Sequence, residues 1–221
     1  MDKVAGFMTI GRAPRADITG DVQARLPGNL SILEFGALDR IPDEDLANLA
    51  PLGGDDALIA SLGNGREAVV SKTKVAVLLQ KEIERLEHEV DAFVILCTGP
   101  FPTFDSTRKV AQVGTLLFDA VRARGVADRL GVMMPIAEQE QLNRRLWSEC
   151  AREIITAVAS PYRGLEGVTQ AAGQLKEAGA DLIVMSCMGY SEAMRRSVTD
   201  AASVPTVGPG QVLADYLNEH L

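Results

Sequence analysis

The sequence predicts an α/β protein of two similar lobes, each built on a parallel sheet, related by a pseudo-twofold axis with the functional site between them. Two observations carry this. First, Asp91-Ala92-Phe93-Val94-Ile95-Leu96-Cys97-Thr98-Gly99 recurs as Asp181-Leu182-Ile183-Val184-Met185-Ser186-Cys187-Met188-Gly189, each copy with an aspartate six residues before the cysteine and a glycine two after it. Each reads as a short apolar run bounded by a charge and a glycine, the pattern of a strand buried on both faces of a parallel sheet. Second, helical and strand patterns alternate along the chain with short connections. Ligands of open α/β sheets collect beyond the carboxyl ends of strands, so both thiols are candidates for one cleft. A lone cysteine is more often a small buried apolar residue, and the matched placement is what argues for more.

In chain order, Val4 to Ile10 is a first apolar strand. It runs into Gly11-Arg12-Ala13-Pro14-Arg15-Ala16-Asp17, whose glycine, proline and two arginines suit a loop that holds an anion. Asp17 or Thr19 is expected to cap a helix through Leu26. Leu30 to Phe35 is a second strand, and Pro42 with Asp43, Glu44 and Asp45 opens a short helix with an acidic first turn. Asp56 to Leu62 and Arg66 to Ser71 flank Gly63-Asn64-Gly65, a hairpin signal and not a nucleotide loop. Ser71 is expected to cap a helix reaching about Val90, with Val75, Leu78, Leu79, Ile83 and Leu86 on its apolar stripe and Lys72 able to point into the cleft. His88 reads as a surface residue at its acidic end.

Gly99 to Ser106, with Pro100 and Pro102, forms an extended lip beside Cys97. Lys109 to Gly125 reads as a helix, Leu130 to Met134 as a strand, and Ile136 to about Cys150 as a helix begun after Pro135, with Cys150 packed beside Trp147. Glu153 to Ala159 is a strand and Gly164 to Gly179 a helix. Gly189 is expected to open a helix to about Ala202 directly after the second cysteine strand. Pro205 to Val207 is a last strand and Gln211 to Leu221 a closing helix. The lobes are drawn as residues 1–108 plus 205–221 and residues 109–204, packed tightly because no flexible linker marks the boundary.

A chain of 221 residues, 47 % hydrophobic and 24 % charged, has the composition of a globular protein with a sizeable core. Its net charge of −8 opposes nucleic acid and anionic membranes. No stretch approaches the roughly 18 apolar residues of a membrane span, and the N-terminus lacks the core of a signal peptide. Three irregularly spaced cysteines make no disulfide framework, so reduced thiols and a cytoplasmic location are expected. No histidine pair has metal-ligand spacing, and neither metal nor organic cofactor is expected. Asn29-Leu30-Ser31 matches a glycosylation acceptor only formally.

If the lobes face one another, the two sulfurs flank a small ligand. Backbone N–H groups of Thr98, Gly99, Met188 and Gly189 can turn toward an anion, and the positive end of a following helix favours a thiolate. One thiolate can take a proton from carbon on one face while the opposite thiol donates on the other.

The paired cysteines after parallel strands resemble the aspartate/glutamate racemase superfamily. Within it, Thr9-Ile10-Gly11-Arg12-Ala13-Pro14-Arg15-Ala16-Asp17 and Val70-Ser71-Lys72-Thr73-Lys74-Val75, with the chain length, are similar to the AroM family. The resemblance implies a two-lobed fold, Cys97 and Cys187 as an acid/base pair, and Thr98 with the backbone after each cysteine as carboxylate binders. It brings Thr9, Gly11, Arg12, Arg15, Ser71, Lys72, Thr98, Gly99, Met188 and Gly189 together as the substrate-binding set. Racemases of amino acids in this superfamily usually follow the first cysteine with Asn-Thr and the second with Thr. Thr98-Gly99 and Met188-Gly189 depart from that pattern, which favours a carboxylate or dicarboxylate without an amine, Arg12 and Arg15 holding its second acidic group.

The leading expectation is therefore a cofactor-independent racemase or isomerase. One-thiol decarboxylation or isomerisation of an unsaturated acid is the second reading, and a small-carboxylate-binding protein without turnover the third. A homodimer is expected from symmetry base rates.

Overall fold

In the computed structural model, which describes residues 3–26, 28, 30–53 and 56–220, the two repeated phrases become equivalent strands of two four-stranded sheets. The chain runs β1 (Lys3–Thr9), α1 (Ala16–Gln23), β2 (Leu30–Gly36), a 3-10 turn at Asp43–Leu49, β3 (Ala57–Gly63), β4 (Arg66–Ser71), α2 (Lys72–Leu86) and β5 (Ala92–Leu96). It continues with β6 (Lys109–Gln112), α3 (Val113–Arg122), β7 (Ala127–Met134), α4 (Glu140–Leu146), β8 (Ala151–Val158), α5 (Leu165–Glu177), β9 (Leu182–Met185), α6 (Glu192–Ala202), β10 (Thr206–Val207) and α7 (Pro209–His220). The sheets are ordered β2-β1-β5-β6 and β8-β7-β9-β10, parallel throughout. The repeat thus extends from one strand to a whole sheet.

The conserved geometry of the two phrases begins at their aspartates. Asp91 accepts a hydrogen bond from the Val4 N–H at 2.8 Å, and Asp181 accepts from the Asp128 N–H at 2.9 Å. Each carboxylate ties the start of its strand to the central strand beside it, leaving each cysteine just past the carboxyl end.

Several local expectations change. Lys109–Gln112 is a strand paired with β5, and helix α3 starts only at Val113. Four residues are too few to show a period, and the helical pattern behind them masked the strand. Thr206–Val207 pairs with β9 in the second sheet and does not return to the first. Gly189 does not open a helix. Ser191 caps α6 by accepting from the Met194 N–H at 3.3 Å, after a turn through Met188 and Tyr190. Neither Asp17 nor Thr19 caps α1, since Arg15 occupies that position without a side-chain cap and draws the Asp17 carboxylate to its own guanidinium. Ser71 does cap α2, accepting from the Lys74 N–H at 3.1 Å. Helix α4 ends at Leu146, and Cys150 is buried beside Trp147. The Asn29 acceptor and Leu221 lie outside the described residues.

The two helices that follow the outer strands are exchanged between lobes. Helix α3 follows β6 of the first sheet, but its Leu117 and Val121 pack with Leu130, Val132 and Val184 of the second. Helix α7 follows β10 of the second sheet, but its Leu213 and Leu217 pack with Ala5, Phe7 and Val94 of the first. The hairpin β3–β4 also spans the lobes. Leu58 and Val70 belong to the first core and Ile59, on the opposite face, to the second. Its tip, Gly63-Asn64-Gly65, has positive φ at all three residues. A Cβ on Gly11 would lie 2.0 Å from the Ser61 carbonyl oxygen, so only glycine lets the first loop touch the hairpin this closely.

Truncating Leu117 or Leu213 to alanine is expected to cost about 2–5 kcal/mol each, the range for a buried leucine whose cavity does not collapse. Because each helix covers the other lobe's sheet, denaturant titration should show the loss in one transition for the whole chain. A biphasic curve with one lobe unaffected would contradict this packing.

Candidate functional site

The carboxyl ends of the two sheets meet at a small cavity of about 30 Å³. Cys97 follows β5 and Cys187 follows β9 by one further residue, and both thiols line the cavity. Around them stand Arg15, Thr98, Gln139, Asn143, Tyr162 and Ser186, with Ile10, Leu58 and Ile59 as apolar walls. Both cysteines are buried and free of disulfides.

The Cys-X-Gly spacing has a direct consequence. The N–H of Gly99 turns back onto Cys97 Sγ at 3.4 Å, and the N–H of Gly189 donates to Cys187 in the same way. A Cβ on Gly189 would collide with Tyr162 Oη at 2.7 Å, so this glycine also makes room for the tyrosine.

Burial nonetheless dominates the thiols. It pushes the Cys97 thiol up to about 12, with the nearby Cys187 adding to the rise, while the Gly99 and Thr98 N–H groups and the charge of Lys72 pull it down. The Cys187 thiol is also raised by burial, opposed by the Gly189 N–H, the Arg15 guanidinium and a hydrogen bond from Tyr162. The two environments differ. Cys187 faces a hydroxyl and a guanidinium, itself paired with Asp17, within its own cavity wall, whereas the ammonium that favours a Cys97 thiolate lies outside that wall and is bonded to Asp56.

Arg15 is 4 % exposed and sits with Nε and Nη2 on the two Asp17 oxygens at 2.8 and 2.6 Å. Its Nη2 also reaches Tyr162 Oη at 3.3 Å. Burial opposes its charge, but Asp17 and Tyr162 outweigh that, and its pKa rises further above an already high value. Burial raises the Tyr162 phenol as well, so it stays a hydrogen-bond donor.

Of the residues singled out in the sequence, Cys97, Cys187, Arg15, Thr98, Gly99 and Met188 line the cavity. Thr9 is buried, its hydroxyl accepting from the Gly11 N–H at 3.4 Å. Gly11 serves the contact with the hairpin. Arg12 turns away from the thiols, donating to the Ile41 carbonyl at 2.9 Å and pairing with Asp43 at 2.6 Å. It therefore does not hold a second acidic group in this arrangement. Ser71 works as a helix cap, and Lys72 lies outside the cavity wall, acting on Cys97 by charge alone. Tyr162, Gln139 and Asn143 were not foreseen. Tyr162 sits in a 3-10 turn, Pro161–Arg163, where the surrounding Ser-Pro-Tyr-Arg-Gly reads only as a loop. Among the described residues no group of three or more histidine, cysteine, aspartate or glutamate side chains could hold a metal ion. Among the described residues no helix is long and apolar enough to cross a membrane.

Comparison with known proteins agrees with this architecture. The model of the AroM protein family matches residues 5–221. A search of curated proteins gives no match. Among solved structures, allantoin racemase from Klebsiella pneumoniae is similar with a TM-score of 0.63 at 15 % identity, covering 98 % of this chain and 86 % of that one. A sulfate-associated Gly74Cys mutant of arylmalonate decarboxylase has a TM-score of 0.64 at 17 % identity over 98 % and 94 %. The maleate isomerase Iso from Pseudomonas putida S16 has 0.59 at 12 % over 96 % and 89 %. These three structures share this chain's fold.

The Cys97 thiol gives a pH signature. Its folded-state value near 12 exceeds its ordinary value of 9.0, so the native state keeps a proton that the unfolded chain loses. The stabilisation is complete below about pH 9 and is lost as pH rises toward 12. The denaturant midpoint of the wild type should fall across this window more steeply than that of Cys97→Ala, and equal slopes would refute the burial argument.

Proposed function

Because the chain belongs to the AroM family, we propose that it is a cofactor-independent enzyme of the racemase or isomerase kind, moving a proton at the carbon beside the carboxylate of a small acid. The observation that carries the reading is the placement of Cys97 and Cys187 in one cavity wall, each with the N–H of the second following residue on its sulfur. The names of the structural neighbours, racemases, an isomerase and a decarboxylase, agree at the level of reaction kind.

The roles follow from the surroundings. Burial favours the protonated form of both thiols, so one proton must pass to solvent before turnover. Cys187 is the thiol to lose it, since Arg15, Tyr162 and the Gly189 N–H all favour its thiolate. The Cys187 thiolate then removes the α-proton from one face, and Cys97 delivers its own proton to the other. The charge that develops on the substrate carboxylate is met by Arg15. The reverse direction exchanges the two roles.

The inequality of the thiols favours a second reading, in which Cys187 alone acts and Cys97 only packs. The two are separable by deuterium. In heavy water the two-thiol scheme requires incorporation at the substrate α-carbon, with losses of at least about 100-fold in both Cys97→Ser and Cys187→Ser, the scale of a missing general acid or base. Full exchange in Cys97→Ser with none in Cys187→Ser would establish the one-thiol scheme instead.

A further inference from the structure

The pseudo-twofold symmetry is also broken behind the residues that follow the two thiols. Thr98, which follows Cys97, and Met188, which follows Cys187, occupy matched positions, and each borders a second space near the start of a matched helix. Behind Met188, at Gly210 of α7, that space is only about 10 Å³ and is lined by Asp17, Asp21, Arg25 and Glu192. Arg25 and Glu192 close it with an ion pair at 3.1 Å, and the Glu192 N–H donates to Asp21 at 3.0 Å. Behind Thr98, at Gly114 of α3, it opens into a slot of about 360 Å³ reaching solvent.

The slot is built to stay open. Its apolar walls are Pro100, Phe101, Phe118 and Leu146. Phe118 stacks on the fully buried Trp147 with centroids 5.9 Å apart, and Phe101 rests against Phe104 at 6.0 Å. Gln112 pins the proline-rich lip, accepting from the Phe101 N–H at 3.3 Å and donating to the Pro102 carbonyl at 2.9 Å. Thr98 and Leu146 line both the slot and the thiol cavity, so the two spaces share one wall. The slot's own cation, Arg145, is mostly exposed, pairs with Asp56 at 3.3 Å and shares the rim with Glu149.

We infer that this slot receives the side group of the substrate, and that the group is an aromatic ring or a comparably bulky apolar one on a monocarboxylic acid. The inference rests on the reading above, which puts the α-carbon between Cys97 and Cys187. The carboxylate lies toward Arg15 on the Cys187 side, where the matched space is filled. The remaining substituent leaves past Thr98 on the Cys97 side, into a volume within the range of small-molecule sites. A second carboxylate would meet the apolar walls of Pro100, Phe101, Phe118 and Leu146, where an unpaired charge is costly.

Phenylacetate and acetate test this by calorimetric titration, since they differ only in the ring. Thr115 and Ser148 are exposed and both line the slot, so Thr115→Trp and Ser148→Trp are each expected to fill it without touching the core. Wild type should bind phenylacetate at least about tenfold more tightly than acetate, the order expected for burying one ring. Both variants, folded as judged by an unchanged melting temperature, should lose that preference and keep the acetate affinity; Ser148→Trp covers the case in which Thr115→Trp misfolds. Equal affinities for the two acids in all proteins, or a preference that survives both fillings, would overturn the slot assignment and leave the proposed chemistry standing. Binding of neither acid at millimolar concentration would overturn both.

Discussion

A glycine N–H folded back on the sulfur two residues before it recurs at the end of both cysteine strands, and the rest of the site depends on it. A thiol buried in an apolar cavity cannot ionise by itself, because no water remains to solvate the charge. Gly99 and Gly189 supply one donor each without adding side-chain bulk, and at Gly189 the missing Cβ is also what admits Tyr162. At the other end of each strand, Asp91 and Asp181 tie its start to the neighbouring central strand.

Duplication supplies two equivalent thiols, and what distinguishes them comes from outside the repeat. Arg15 is delivered by the loop after β1 and Tyr162 by the turn after β8, and the two meet at Cys187 from residues 147 positions apart. Cys97 has neither. Its nearby cation, Lys72, is committed to Asp56 at the base of the hairpin. The hairpin itself, β3–β4, has no counterpart in the second sheet's succession of elements, and it contributes Leu58 and Ile59 to the cavity wall. One symmetric frame thus holds an asymmetric pocket.

The frame was legible in the sequence because strands buried on both faces leave long apolar runs, and because the repeated Asp, Cys and Gly stand at fixed offsets. The hairpin was legible for a similar reason, since Gly63-Asn64-Gly65 has few other uses. What escaped was short or non-local. Lys109–Gln112 is a strand only because a neighbour offers it a ladder, and nothing in four residues records that. Thr206–Val207 reads as a strand in the sequence, but two residues do not record which sheet it joins. Arg12 and Arg15 lie three residues apart in one motif and look interchangeable. The fold separates them, giving Arg12 to Asp43 and the Ile41 carbonyl while Arg15 goes into the cavity with Asp17. Tyr162 carried no signal, since its partners are fixed only once the two sheets meet.

The exchanged helices also set an order of events during synthesis. The face of the first sheet formed by Ala5, Phe7 and Val94 is covered by Ile18 and Val22 of α1 and by Leu213 and Leu217 of α7, so part of it stays open to water until the last dozen described residues have been made. The amino-terminal lobe cannot finish its core on the ribosome ahead of the rest, as a self-contained domain would. Contacts of such long sequence separation slow folding, and they leave an apolar sheet face in need of protection in the meantime.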